Sequence, residues 1–280
     1  MTDLVPIVAG AVVAIAPGVR RVTAGNPGVM TGPGTNTYIL GDDELALIDP
    51  GPALDAHRDA LLGAVGDRLR WIFCTHTHRD HSPLARALRE ATGAQVLGFG
   101  ATPDDGRQDE SFAPDRVLGD GDVVNWGGHR LRAVHTPGHA SNHLCYLLED
   151  HGVLFTGDHV MQGSTVVISP PDGDMQAYLD SLERLLELPV GAFAPGHGHV
   201  IAAPQDEVRR LIAHRLGREA KIRTALAATG PATLEQLGRR AYDDVPERIH
   251  PVAMRSLHAH LIRLERHRLA AQAAGLWRVQ

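Results

Sequence analysis

The stretch "CTHTHRDHS", residues 74–82, places three histidines and one aspartate within six consecutive positions. It follows the apolar run "WIF", whose aromatic and β-branched residues are typical of a buried strand. A packed core rarely holds so many titratable groups together, because each polar atom that leaves water needs a new partner. The stretch is therefore either a solvated loop or a place where a cation is bound.

Three later stretches share one arrangement, in which an apolar strand candidate runs into a short turn and ends on a ligand-type side chain. "LRAVHTPG" precedes His139, "GVLFTG" precedes Asp158 and "GAFAPG" precedes His197. If these strands lie in sheets with their ends on one side, the side chains that follow them converge there. Imidazole and carboxylate are groups by which proteins commonly bind zinc.

The candidate ligands, five histidines and two aspartates, suffice for two four-coordinate zinc ions if one aspartate bridges them, and a water or hydroxide is expected between the ions. His76 and His78 lie two positions apart on an extended segment, so they point to the same side. Asp80 and His81 fall on the following turn and can face a second ion. The full candidate set is His76, His78, Asp80, His81, His139, Asp158 and His197.

Residues 1–205 alternate short β-branched runs with helical patterns, which is typical of an α/β layered domain. The spacing of apolar residues predicts helices over 53–65, 82–92 and 174–188. The N-terminal run "VPIVAGAVVAIAPGV" is broken by proline and glycine, so we expect one or two strands there rather than a signal peptide or a membrane span.

Capping residues predict where several helices begin and end. Ser82 is expected to be an N-cap with Pro83 at the first helical position, and Gly93 is expected to end that helix. Asp174 is expected to cap the following helix in the same way. Thr233 opens the sequence "TLEQ", which resembles a capping box.

Residues 206–280 differ in composition and predict a second, winged-helix-like domain. Helical patterns over 206–228, 233–241 and 251–268 precede a tail, "LAAQAAGLWRVQ", that predicts a hairpin. Residues 207–280 carry 14 Lys and Arg against 7 Asp and Glu, whereas the rest of the chain carries 13 against 26. This basic module is interpreted as a wall of the active-site cleft, as a surface for the phosphates of single-stranded RNA, or as a dimerisation element. A reader of specific DNA sequences is not favoured, because the third helix is largely apolar in its spacing.

Taken together, these stretches resemble the metallo-β-lactamase superfamily, whose T-H-x-H-x-D-H signature is matched by "THTHRDH". The resemblance implies an αββα sandwich with two zinc ions and a bridging hydroxide. It also implies that Asp80 orients this hydroxide and is the catalytic residue. The resemblance assigns the ligands as His76, His78 and His139 for one ion, Asp80, His81 and His197 for the other, and Asp158 for both.

Within the superfamily, the chain is most similar to the lactamase-β-like protein 2 branch. The stretches "GPGTNTYILG", "TPGHASNHLCYLLE" and "PGHGHVI" carry this resemblance, together with the C-terminal module. A known member of that branch is an endoribonuclease, which makes single-stranded RNA the leading substrate expectation. A thioester, a lactone or another small ester, as in glyoxalase II, is the alternative. A third interpretation is a nucleic-acid-binding regulator that senses a ligand through its metal domain, which the intact ligand set disfavours.

Three further side chains are expected to contact the substrate: Asn36, His159 and His199. No serine nucleophile is expected, because Ser141 and Ser164 lack the Gly-x-Ser-x-Gly context. The chemistry is therefore assigned to the metal ligands rather than to a covalent intermediate on the protein.

Cys74 and Cys145 both lie inside apolar runs, which favours buried free thiols in a reducing compartment. No export signal is recognisable in the sequence. We therefore expect a cytoplasmic protein, with no contact to membranes and no physiological role in β-lactam hydrolysis. The sequence leaves the oligomeric state open.

Overall fold

The computed structural model describes residues 6–100 and 103–280, and the chain forms two compact units. The first unit comprises the chain up to Thr136, Asn142–Ser164 and Pro189–Pro204. The second unit comprises Pro137–Ser141, Thr165–Leu188 and Gln205–Gln280. Each unit has a hydrophobic core of its own. The division into domains 1–205 and 206–280 stays a prediction.

The first unit is built on two sheets. The strands of the larger sheet, which are adjacent in chain order, are β1 (Val12–Ala16), β2 (Val19–Thr23), β3 (Asn36–Leu40), β4 (Leu45–Ile48), β5 (Leu69–Phe73), β6 (Gln95–Gly98) and β7 (Arg116–Val117). The strands of the smaller sheet are β8 (Val123–Trp126), β9 (His129–His135), β10 (Leu144–Leu148), β11 (Val153–Gly157) and β12 (Ala192–Pro195). Their spatial order is β12-β11-β10-β9-β8. Within the N-terminal apolar run, Val12–Ala16 form β1 and the last residue, Val19, begins β2, as the sequence predicted; its first residue, Val5, lies outside the described residues.

The two sheets pack face to face through aromatic side chains. The ring centroids of Tyr38 and Phe155 are 5.0 Å apart, and those of Phe73 and Tyr146 are 5.3 Å apart. Leucines of α1 (Asp55–Val65) and α2 (Leu84–Thr92) join the core on the other face of the larger sheet. Apolar residues alternate between these two cores along the strands, as the two-residue period of a strand requires. The predicted α/β sandwich is confirmed.

Strand direction explains why the ligand-bearing turns meet. β11 and β12 are parallel, whereas β10 is antiparallel to both β9 and β11, so β9, β11 and β12 end at the same edge. The Leu144 N–H donates a hydrogen bond to the Thr75 carbonyl over 2.7 Å, which brings the end of β5 to that edge as well.

The expected N-cap role of Ser82 is wrong. α2 begins at Leu84 after Pro83, and among the residues that the structure describes no side chain caps its first turn. The Ser82 hydroxyl instead donates to the Asp109 carboxylate over 2.8 Å, a partner 27 positions away that a local pattern does not reveal. Gly93 ends the helix as predicted, with a φ of 75° that favours glycine.

The second unit contains the predicted winged helix. Its elements are α3 (Met175–Leu185), α4 (Pro204–Thr229), α5 (Leu234–Ala241), α6 (His250–Arg266) and the hairpin β13 (Ala270–Ala273) and β14 (Leu276–Val279). Asp174 caps α3 by accepting from the Ala177 N–H over 3.0 Å, and Thr233 forms the capping box expected for α5. The core of this unit includes the fully buried Leu237 and the nearly buried Trp277.

The two cysteines and the helices bear on two further expectations. Cys74 and Cys145 are buried free thiols, as predicted. Among the helices of the described residues, none has both the length and the apolar composition that a membrane span requires.

Candidate metal centre

Six of the seven candidate ligands lie together in the first unit, at the edge where the strands end. We refer to this group as the buried cluster: His76, His78, Asp80, His81, Asp158 and His197. Ligand atoms of His76, His81 and Asp158 lie within 4.8 Å of one another, and so do those of Asp80, His81 and His197. His78 adjoins the group through its Nδ1, which is 2.9 Å from His76 Nε2.

The Asp158 carboxylate lies between two imidazole rings. Its Oδ1 is 3.2 Å from His197 Nε2 and 3.4 Å from His81 Nε2, and Asp80 Oδ2 is 3.4 Å from His197 Nε2. Tetrahedral zinc ligands at about 2.0–2.1 Å from the ion stand about 3.3 Å from one another. The spacing in the buried cluster is therefore that of side chains around a shared cation.

Two nitrogens of the buried cluster point to the same conclusion. The Nε2 atoms of His81 and His197 are buried, and neither has a hydrogen-bond partner within the described part of the chain. A buried polar atom left without a partner destabilises a fold by about 1–3 kcal/mol. A metal ion would satisfy both nitrogens at once, so these residues fit the divalent cation that the sequence predicts.

Asp49 holds His81 in place, and the sequence analysis did not identify it. Its carboxylate accepts hydrogen bonds from His81 Nδ1 over 2.8 Å, from the Thr75 N–H over 2.7 Å and from the Thr75 hydroxyl over 2.8 Å. Because Nδ1 of His81 carries the proton, Nε2 is the nitrogen that can bind a metal. The available signal was the sequence "LIDPG", in which an aspartate directly follows the β4 strand.

Asn36 holds the turn that carries His197. It is fully buried, and its amide donates to the carbonyls of Pro195 and Gly198, over 3.0 and 2.9 Å. These two carbonyls flank His197, whose Nδ1 donates to the Gly34 carbonyl over 3.2 Å. The expected contact of Asn36 with substrate stays a prediction.

His139 belongs to the second unit and is held there by the backbone. Its Nδ1 donates to the Val167 carbonyl over 2.8 Å. This bond fixes the tautomer in which Nε2 is unprotonated, the form that binds metals. His139 thus has the same kind of orienting contact as His81 and His197.

Two glycines allow the turns of the buried cluster to approach closely. A Cβ atom on Gly196 would lie 2.8 Å from His81 Cε1 and 2.9 Å from Asp158 Oδ1. One on Gly157 would lie 2.6 Å from the Thr75 hydroxyl, and the φ of Gly157 is 46°. A side chain at Gly196 would therefore displace His81 and Asp158, and one at Gly157 would displace Thr75, which donates to Asp49 behind His81.

The charges of the buried cluster show how strongly its carboxylates require a cation. Burial alone would raise the pKa of Asp80, but His81 and His197 outweigh it and lower this pKa to about 2. Burial alone would lower the pKa of His197, but Asp158 and Asp80 raise it to about 9. The carboxylates therefore stay ionised at neutral pH and attract positive charge into the cluster.

Three other histidines surround the cluster. His143 is buried, and its Nε2 accepts the Asp158 N–H over 3.2 Å, which orients that turn. His159 is fully buried, with its ring centroid 6.0 Å from that of His143, and its expected contact with substrate stays a prediction. His199 is partly exposed, and burial together with Arg21 lowers its pKa. Its contact with substrate stays a prediction.

Comparisons with known sequences and structures show which family the chain is similar to. The sequence matches the metallo-beta-lactamase superfamily over residues 30–197 and the beta-lactamase associated winged helix domain over residues 233–277. A similar solved structure is a metallo-beta-lactamase family protein from Thermus thermophilus, with a TM-score of 0.80 and 25% identity. The match covers 95% of this chain and 100% of that one.

Two curated relatives are similar over most of the chain. An atrochrysone carboxyl ACP thioesterase of Aspergillus fumigatus is 32% identical, over 87% of this chain and 80% of the relative. A beta-lactamase-like protein 2 homolog of Drosophila melanogaster is 31% identical, over 91% of this chain and 90% of the relative. The resemblance to the lactamase-β-like protein 2 branch is thereby confirmed, and the chain belongs to the metallo-beta-lactamase superfamily as a hydrolase with the associated winged helix domain.

Proposed function

We propose that the chain is a dinuclear zinc hydrolase that cleaves thioesters. The observation that carries the metal site is the pair of buried Nε2 atoms, on His81 and His197, which face the Asp158 carboxylate and have no hydrogen-bond partner in the described chain. Hydrolysis requires a nucleophile made from water, and two divalent ions bound here would make hydroxide available near neutral pH and polarise the scissile carbonyl.

The assignment of ligands follows chain order and the superfamily resemblance. Each imidazole whose Nδ1 has an oxygen acceptor presents Nε2 as the ligand atom, which includes His139 through its bond to Val167. The proposed ligands are His76, His78 and His139 for one ion, Asp80, His81 and His197 for the other, and Asp158 for both.

Asp80 is the residue to which we assign the orientation of the attacking water. Its side chain is 28% exposed, compared with 11% for Asp158, so water reaches it more easily. With a pKa of about 2, its carboxylate is ionised at neutral pH and accepts a hydrogen bond from the water. This contact fixes the direction from which the oxygen approaches the carbonyl carbon.

A thioester suits this site for a chemical reason. The thiolate that leaves has an ordinary pKa of about 8.5, so it departs near neutral pH with little need for prior protonation. The carboxylates of the buried cluster are held ionised and are poor proton donors. The fungal thioesterase relative supports the same substrate class.

The charge pairing within the second unit disfavours single-stranded RNA, the substrate that the sequence favoured. Several cations of this unit pair with its own carboxylates: Arg218 with Asp244, Lys221 with Asp243, Arg263 with Glu219 and Arg266 with Asp174. RNA phosphates would have to compete with these pairs before gaining from the basic residues. A thioester is therefore favoured over single-stranded RNA as the substrate.

A parallel assay with zinc-loaded protein tests the function. A small acyl thioester, a lactone and a labelled single-stranded RNA are offered to the wild type, to Asp80→Ala and to Asp59→Ala. Asp59 is a suitable control because its carboxylate is 65% exposed and pairs with Arg58 on α1. We expect Asp80→Ala to lower thioester turnover by about 10²–10⁴-fold, and Asp59→Ala to leave it unchanged. Cleavage of RNA without turnover of the thioester would overturn the proposal.

A further inference from the structure

A second group of metal-type side chains lies far from the buried cluster along the strands. We refer to His129, Asp150 and His151 as the surface cluster; their ligand atoms lie within 4.8 Å of one another. His129 begins β9, which runs from there toward the ligand-bearing edge, and the other two residues lie in the turn between β10 and β11. The surface cluster is therefore at the opposite edge of the smaller sheet.

Strand pairing holds the surface cluster together. β9 and β10 are antiparallel, and the Glu149 N–H donates to the Arg130 carbonyl over 2.9 Å, so the start of one strand adjoins the end of the other. The Arg130 N–H in turn donates to Asp150 Oδ1 over 3.1 Å. The backbone thereby fixes the carboxylate and leaves Asp150 Oδ2 facing the two imidazoles.

The ring nitrogens of the surface cluster converge on this oxygen. Asp150 Oδ2 is 2.9 Å from His129 Nδ1 and 2.8 Å from His151 Nδ1, and the two ring centroids are 5.7 Å apart. His129 Nδ1 makes a hydrogen bond there. His151 Nδ1 is buried and makes none within the described chain, since its contact with Asp150 lacks the alignment that a hydrogen bond requires.

Hydrogen bonding alone thus leaves one buried nitrogen unsatisfied. An ion bound to the two Nδ1 atoms and Asp150 Oδ2 would satisfy all three ligand atoms after small side-chain rotations. Two imidazoles and one carboxylate form a ligand set typical of zinc, nickel or copper rather than of calcium or magnesium. The three side chains are 16–29% exposed, so water can reach the remaining coordination position.

We propose that the surface cluster binds one zinc ion, separate from the hydrolytic centre. The ion would connect the first residue of β9 with the turn between β10 and β11. Because it binds only the folded arrangement of three residues, it would raise the stability of the first unit.

Metal analysis of tag-free protein, saturated with zinc and then dialysed, tests the proposal. The wild type is compared with His151→Gln and with the control His214→Gln. His214 is matched because its Nδ1 is also buried without a hydrogen-bond partner in the described chain, but arginines surround it. We expect His151→Gln to hold one zinc fewer per chain than the wild type, and His214→Gln to hold the same number.

A second variant, His129→Gln, and the Tm measured with and without zinc test the same site independently. His129→Gln should lose the same single zinc, and added zinc should raise the Tm of the wild type more than that of either surface-cluster variant. Equal zinc content and equal Tm shifts in wild type and variants would overturn the proposal. The difference between wild type and variant does not depend on the ions of the buried cluster, so it distinguishes this inference from the proposed hydrolase function.

Discussion

The buried cluster and the surface cluster combine the same residue types in the same unit, yet their surroundings differ. The side chains of His81, Asp158 and His197 are 0%, 11% and 5% exposed. Those of His129, Asp150 and His151 are 16%, 29% and 23% exposed. His81 and His197 of the buried cluster donate Nδ1 to an outer acceptor and point Nε2 inward, whereas His129 and His151 direct Nδ1 toward Asp150.

This difference shows what makes a group of ligands suitable for catalysis. Outer contacts fix the tautomer and the direction of His81, through Asp49, and of His197, through Gly34. A catalytic site needs that rigidity, because small displacements of reacting groups lower the rate steeply. In the surface cluster the outer contact that the described residues supply goes to the aspartate, from the Arg130 N–H. We therefore assign chemistry to the buried cluster and stability to the surface cluster.

The largest expected effect comes from the same substitution made in both clusters. Asp158→Asn keeps the shape of the side chain but removes the charge proposed to bridge two ions. We expect thioester turnover to fall by about 10³-fold or more, because metal polarisation contributes several kcal/mol to the barrier. Asp150→Asn should leave turnover close to that of the wild type. Steady-state kinetics on both zinc-loaded variants makes the comparison, and equal losses would show that the clusters do not differ in role.

Acid should weaken the scaffold behind the buried cluster. His57 donates or accepts at the Thr37 hydroxyl over 2.9 Å and lies beside Gly51, whose N–H donates to the His81 carbonyl. Burial lowers the pKa of His57 to about 4. The unfolded chain takes up a proton below its ordinary pKa of about 6.5, whereas the folded protein resists protonation until about pH 4. The contribution of His57 to the free energy of unfolding is therefore complete above pH 6.5 and is lost as the pH falls toward 4.

This loss should amount to about 3 kcal/mol for the wild type and should be absent in His57→Gln. Urea unfolding of both proteins at pH 7 and pH 4, with metal removed by a chelator, measures the difference. Parallel losses of unfolding free energy in the two proteins would show that His57 does not contribute to acid sensitivity.

The smallest effect concerns the outer contact of His81. Asp49→Asn weakens the orientation of this ligand, so we expect zinc affinity to fall by about 10–100-fold. Asp115→Asn is the matched control, since Asp115 also accepts a buried-strand N–H, that of Val96 over 2.9 Å, and its carboxylate pairs with Arg89. Competition with a coloured chelator measures the affinity of each variant. A similar loss in both would indicate a general effect on the fold instead of an effect on the metal ligand.

The sequence predicted the elements of the fold well where the signals were local. The periodic apolar residues of α3, α5 and α6 and the caps at Asp174 and Thr233 depend on residues three or four positions apart. The same kind of pattern gave a wrong prediction at Ser82, because its hydroxyl donates to Asp109 instead of capping α2. A capping pattern describes what a side chain can do locally, and a distant acceptor can take its place.

The candidate site shows the same division. The six candidate ligands of the buried cluster were recognisable because strand ends followed by histidine or aspartate form a pattern along the chain. Asp49 and Gly196 were not recognised, since their roles depend on contacts with His81 across the fold. The bonds of Asn36 to two backbone carbonyls of the His197 turn were not foreseen either, because they join residues about 160 positions apart.

Apolar periodicity along the chain was enough to predict the helices, the strands and the winged-helix-like module. The superfamily and its sandwich were inferred from the resemblance that the ligand motif carries. The folded structure was needed to show which nitrogen His81, His139 and His197 present, that Asp49 orients His81, and that a second cluster forms at the opposite edge. Those features depend on hydrogen bonds and strand pairing between residues far apart in sequence, and no linear pattern encodes them.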